Sequence, residues 1–218
     1  MNKLGTIATA ALMLAALSHP AAAQLGGDQT QLLEPNVAAD SQLIRIGLNE
    51  RAITLLRAAR PILSVVSFDS ILGAAGLTKG QRVGLLSRVF VHVDLNRGSD
   101  LELMFVPGMN AARVAAIRAG RPFTTFDAFR AAMVKTKTPQ SDPATLERYL
   151  FIPINLNTFT EPLMDTFASI GVGTRRWKRE FAEYRPWTST EQFRREIGKY
   201  VRGNPKEVTR LERYVIIR

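Results

Sequence analysis

The chain repeats itself with a period near 60 residues, and this restricts its fold more than any other feature. Asn36 and Asn96 are 60 residues apart, and Asn96 and Asn157 are 61 apart. The Arg60-Pro61, Arg121-Pro122 and Arg185-Pro186 pairs recur at spacings of 61 and 64. Matching segments close each unit: LSRVFVHVDLN, LERYLFIPINLN and LERYVIIR. A period of this size built from the same helical pieces points to an array of supersecondary units rather than one elaborate enzyme fold. The expectation is an all-α chain of three tandem units, 35–92, 93–153 and 154–218, joined by short extended connectors at Val89–Val93 and Tyr149–Ile154.

Local signals place the same pieces in each unit. In the first, a short helix over 40–46, a Gly47-Leu48-Asn49 hairpin and a helix over 50–59 end at Arg60-Pro61, because a residue before proline is steered out of the α region. Helices over 67–72 and 79–88 follow, the latter with Thr78 as N-cap. In the second unit Ser99-Asp100-Leu101-Glu102 is a capping-box pattern. Pro107-Gly108-Met109-Asn110 forms the hairpin, with Asn110 expected in a left-handed conformation. Helices over 111–119 and 125–133 follow, and Asp142-Pro143 opens a fourth. In the third unit an irregular short helix leads to Gly171-Val172-Gly173. Trp177, Phe181 and Tyr184 then fall at i, i+4 and i+7, a core-facing stripe. Ser189–Gln192 reads as another capping box, and Asn204-Pro205 opens the last helix.

Residues 1–23 read as a secretory signal, with Lys3 ahead of an apolar Leu4–Leu17 and a small-residue cleavage site at Ala21-Ala22-Ala23. Residues 24–34, rich in Gly and Gln, read as a flexible lead-in. No later stretch approaches the roughly 20 apolar residues of a spanning helix. The expectation is a periplasmic or secreted protein with no stable membrane span once the signal is removed. The chain has no cysteine, so disulfides and thiolate metal sites are excluded. His92 is the one histidine outside the signal, which argues against metal sites and triads built on histidine. No metal, cofactor or catalytic constellation is expected. Asp127 beyond the second hairpin would suit a glycosylase, but repeats fill the chain and leave no room for a base pocket. It also reads as a helix-start carboxylate.

Lys and Arg exceed Asp and Glu by 29 − 19 = 10, which favours an anionic partner. The excess is largest in 154–218. There the Gly-Val-Gly hairpin precedes a basic helix start, where open N–H donors and the helix dipole favour a phosphate. The candidate nucleic-acid contacts are Gly108, Asn110 and Arg113 in the second unit. In the third they are Gly171, Gly173, Thr174, Arg175, Arg176, Lys178 and Arg179. The four cations also suit a solvated helix face flanked by Glu180 and Glu183.

The stretches VDLNRGSDLELMFVPGMNAARVAAIRAGRPF and INLN…IGVGTRRWKREFAEYRPW resemble the helix-hairpin-helix domains of ComEA-like exported competence proteins. The resemblance implies a helical protein outside the inner membrane that binds double-stranded DNA through its phosphates, without reading sequence, during DNA uptake. The chain departs from the pattern at Asn110, at Ile170 in place of proline, and at Glu50 beside a first hairpin without proline. A second expectation therefore stays open: an envelope structural or protein-interaction module that kept the fold without binding DNA.

Overall fold

A computed structural model describes residues 25–27, 31–136 and 143–218. The expected signal segment and the Asp142 cap lie outside the described residues. In the first sequence repeat the chain forms α1 (Asp40–Arg45), α2 (Glu50–Ala59), α3 (Val65–Ala74) and α4 (Lys79–Leu85). The second contributes β1 (Val93–Asp94), α5 (Asp100–Met104), α6 (Ala111–Gly120), α7 (Phe126–Val134), α8 (Pro143–Glu147) and β2 (Leu150–Phe151). The third contributes β3 (Ile154–Asn155), α9 (Glu161–Asp165), a 3-10 turn at Ala168–Ile170, α10 (Arg175–Glu183), α11 (Thr190–Tyr200), α12 (Pro205–Glu212) and β4 (Val215–Ile216). The described residues are mostly helical, and every strand is two residues long.

Short polar side chains set the helix starts. Asn49, Ser64, Thr78, Ser99, Asn110, Thr125, Thr174 and Ser189 each accept from the backbone N–H three residues on. This satisfies a donor that the helix itself leaves open. The expected capping box at Ser99 is present, with Glu102 bonded back to the Ser99 N–H. At Ser189 the box is not reciprocal, because Gln192 reaches past it to the Thr188 N–H at 2.8 Å.

The repeated asparagines and arginines form the same clamp three times. Asn96 Oδ1 accepts from the Phe123 N–H at 2.7 Å, and Asn96 Nδ2 donates to the Phe123 carbonyl at 2.8 Å. Asn36 holds Ile62 this way at 2.6 and 3.0 Å, and Asn157 holds Trp187 at 2.8 and 3.0 Å. A primary amide carries one acceptor and donors side by side, so it matches a peptide edge as a neighbouring strand would. The arginines before the prolines complete the clamp. Arg121 donates to the carbonyls of Leu95 and Gly98, Arg60 to Pro35 and Ala38, and Arg185 to Leu156 and Phe159, all within 2.7–2.9 Å. The three Arg-Pro peptide bonds are all cis, so the three sites are equivalent.

Each repeat closes on itself through a parallel pairing. Leu33 bridges Val89, β1 pairs with β2 as Val93 with Leu150, and β3 pairs with β4 as Ile154 with Val215. The extended connectors are thus the closing strand of one repeat running into the opening strand of the next.

The cores do not follow the repeats one to one. Residues from Leu32 to Ile152 form a single cluster shared by the first two repeats. The third repeat has its own, with Trp177, Phe181, Trp187 and Phe193 at its centre. Along β2 the alternation of side chains divides the two, since Leu150 faces the first cluster and Phe151 the second. The expected flexible lead-in is corrected where it is described. Leu25 is buried in the second cluster, pairs antiparallel with Phe151, and donates its N–H to Thr166 Oγ1 at 3.3 Å. Gly26 lies so close to Glu147 that a Cβ there would approach the Glu147 Cβ to 2.5 Å. Apolar Leu25 and Leu32 have a core to enter, and that outweighs the loop-like composition around them.

Candidate nucleic-acid interface

One left-handed glycine stands at the hairpin of each repeat: Gly47 at φ 100°, Gly108 at φ 86° and Gly171 at φ 72°. Asn110 is not left-handed, contrary to expectation. Its φ is −148°, because an N-cap residue is extended while its side chain accepts from the Arg113 N–H at 3.0 Å. The left-handed position falls two residues earlier, on Gly108.

Most hairpin donors face inward. The Gly171 N–H is held by the Ala168 carbonyl, and the N–H groups of Val172 and Gly173 both reach the Phe167 carbonyl, at 3.0–3.1 Å. These bonds cap the preceding turn, so the hairpin backbone is spent on the fold. Gly173 is glycine for the same reason. A Cβ there would lie 1.9 Å from the Met164 carbonyl oxygen and 2.7 Å from the Ala168 nitrogen. The missing side chain makes room for the chain's own backbone rather than for a phosphate. Gly171 is also partly covered, with Val37 Cγ1 3.1 Å from its Cβ position and Arg210 donating to the adjoining Ile170 carbonyl at 2.8 Å. In the second hairpin Gly108 is exposed and Asn110 half-buried.

Arg113 is corrected outright. It is buried, and its guanidinium donates to the Gly108 carbonyl at 2.7 Å. A side chain in the first turn of a helix leans toward the N-terminus, so Arg113 folds back under the hairpin and is unavailable to a phosphate outside.

The basic residues at the start of α10 come together at the surface. Arg175, Arg176, Lys178 and Arg179 line a shallow depression of about 1170 Å³ with Glu161 and Glu183 at its edges. Thr174 is exposed, and its hydroxyl oxygen accepts from the Trp177 N–H at 3.4 Å. The N–H groups of Arg175 and Arg176 meet no acceptor among the described residues. Arg175 is exposed and has no charged partner among the described residues. Arg176 donates to the Tyr200 carbonyl at 2.5 Å and lies over the rings of Trp177 and Tyr200. Lys178 is ion-paired with Asp165. Arg179 pairs with Glu180 at 2.6 Å, and the Glu180 carboxylate is buried rather than flanking an open face. The aromatic stripe behind them is as expected: Trp177 and Phe181 are buried and Tyr184 is half-buried.

Other candidates lie apart from this face. Asp127 is exposed and paired with Arg130 at 2.6 Å. Two features escaped the sequence reading. One is a cleft of about 700 Å³ lined by Asp94 and Arg97 from the second repeat and by Arg213 and Ile217 from the third. Its walls come from segments over a hundred residues apart, so no local pattern marks it. The other is the turn between α11 and α12, where Arg202 at φ 52° and Gly203 at φ 70° are both left-handed and exposed. The run Arg202-Gly203-Asn204-Pro205, a helix stop followed by a start, was the legible signal.

Two buried titratable groups belong to the scaffold. Burial lowers the His92 imidazole from its usual 6.5 to about 3, with Arg213 nearby adding to the effect. Burial raises the Glu34 carboxyl, against hydrogen bonds from the Asn36 N–H and amide and the fields of Arg210 and Arg213. Both sit where the third repeat meets the earlier two. Comparison of the chain with protein-family models, curated proteins and solved structures finds no match.

Proposed function

We propose that this chain is an exported protein that binds duplex DNA through its phosphates, without base readout, and that its three repeats are units of the helix-hairpin-helix type. The observation that carries the reading is the gathering of Arg175, Arg176, Lys178 and Arg179 on one exposed depression at the start of α10. Cations and open helix-start donors on a shallow, exposed surface hold phosphates and have no means of distinguishing base edges. In this reading the phosphate meets the first turn of α10 instead of the glycine hairpin, whose donors are already used.

The test is a titration of labelled random-sequence duplex against the chain at several salt concentrations. Each neutralised phosphate contributes about −0.9 to the log–log slope, so contacts limited to this face give a slope of roughly −2 to −4. Replacing Arg175 and Arg176 with Ala flattens it by about 1–2. Absence of binding near 50 mM salt, where phosphate contacts are strongest, rejects the reading.

One observation favours a second reading, an envelope protein-interaction module. The third hairpin is closed over by Val37 and Arg210, and two of the four cations beside it are held by Asp165 and Glu180. That module would leave duplex DNA unbound at every salt concentration.

A further inference from the structure

The charges of the third repeat are unevenly satisfied. Of its thirteen Lys and Arg residues, six are ion-paired with carboxylates. Arg176, Arg185 and Arg213 are anchored on backbone carbonyls. Among the described residues this leaves Arg175, Arg202, Lys206 and Arg218 without a partner, and Arg218 lines the separate cleft between repeats. The other three stand at helix ends that Arg176 links: the start of α10, the turn after α11 and the start of α12. Arg176, next to Arg175, spans to the Tyr200 carbonyl at 2.5 Å, and Arg202 and Lys206 follow Tyr200 within six residues.

We infer that Arg202 and Lys206, on the turn between α11 and α12, form a second set of phosphate contacts continuous with Arg175 at the start of α10. Both side chains are exposed. Nothing lies within 4 Å of the Cβ position of Gly203 between them, in contrast to the covered Gly171. Unpaired surface cations repel one another, and a polyanion laid across them removes that repulsion without first breaking an ion pair. A cation already held by a carboxylate must give up that partner, so its net gain from a phosphate is smaller. Arg176 joins the two groups by crossing from α10 to α11. The resulting surface suits the sugar–phosphate backbone of a nucleic acid rather than a small anion, because the cations stand on three separate elements, the start of α10, the turn after α11 and the start of α12.

This inference rests on the reading of the chain as a DNA-binding protein, and the experiment separates the two. The duplex titration is repeated with the full chain carrying Arg202→Asn and Lys206→Gln. Asn tolerates the left-handed position, and an unchanged thermal midpoint confirms that the fold is intact. A charge-matched pair, Arg194→Gln with Arg195→Gln, removes two cations that have carboxylate partners. The turn variant is expected to bind about tenfold more weakly near 100 mM salt with a slope flatter by about 1–2, and the matched pair to change affinity less than about threefold. If the two pairs have equal effects, charge acts diffusely and the inference fails. It also fails if wild-type binding depends on Arg175 and Arg176 but is untouched by the turn variant, and in that case the DNA-binding reading survives. Binding to anionic lipid vesicles with none to duplex overturns both.

Discussion

Asn36, Asn96 and Asn157 each hold both polar groups of one distant residue, so each side chain carries two bonds that would otherwise need a paired strand. Removing one such amide leaves an N–H and a carbonyl unpaired. Asn96→Ala is expected to lower stability by about 2–3 kcal/mol, at roughly 1–1.5 per bond, read from the urea midpoint. Asn96→Asp keeps the acceptor for the Phe123 N–H but sets a carboxylate oxygen against the Phe123 carbonyl, so near neutral pH it is expected to cost at least as much. His92 gives a pH dependence. Its folded pKa, about 3, lies below the ordinary 6.5, so the unfolded chain binds a proton that the folded chain refuses. The stability this supplies is complete above about 6.5 and is lost as pH falls toward 3, by up to about 1.4 kcal/mol per pH unit. Glu34 acts in the opposite sense, because its raised pKa favours the folded state as pH falls through that value. Urea unfolding between pH 7 and 4 is expected to show an acid limb that His92→Leu flattens.

At the scale of elements, two glycines separate packing from propensity. Gly173→Ala places a Cβ 1.9 Å from the Met164 carbonyl, so α9 and α10 must part, and the third repeat is expected to lose several kcal/mol in denaturant unfolding. Gly198 lies inside α11 with nothing within 4 Å of its Cβ position. Gly198→Ala is expected to stabilise by about 0.5–1 kcal/mol, because alanine surrenders less backbone entropy in a helix interior. The helix starts were legible in the sequence because caps act within three residues, as at Thr78, Ser99 and Asn204. The Arg-Pro stops were legible too, but their guanidinium bonds to carbonyls more than twenty residues away were not. The site was read less well. The four cations of α10 were found from their sequence neighbours, yet the inward turn of Arg113, the covering of Gly171 by Val37 and the ion pair of Lys178 with Asp165 all depend on tertiary neighbours.

At the scale of the whole molecule, the two cores meet along β2, and the segment at Leu25 is packed into the second. Both tryptophans, Trp177 and Trp187, report on that second core. Leu25→Ala is expected to cost about 2–5 kcal/mol, the usual range for truncating a buried leucine, and to shift the tryptophan-fluorescence midpoint in urea. An unshifted midpoint would show that the segment adds nothing to the fold. The parallel closure of each repeat bears on how such a chain changes length. Because the first and last residues of a repeat lie side by side, as Val93 beside Leu150 and Ile154 beside Val215, a whole repeat can be duplicated or excised with little displacement of the chain on either side. For the gene, gain or loss of about sixty codons is then a gentler event than a small insertion within a helix, and descendants of this chain should differ in repeat number before they differ in repeat length.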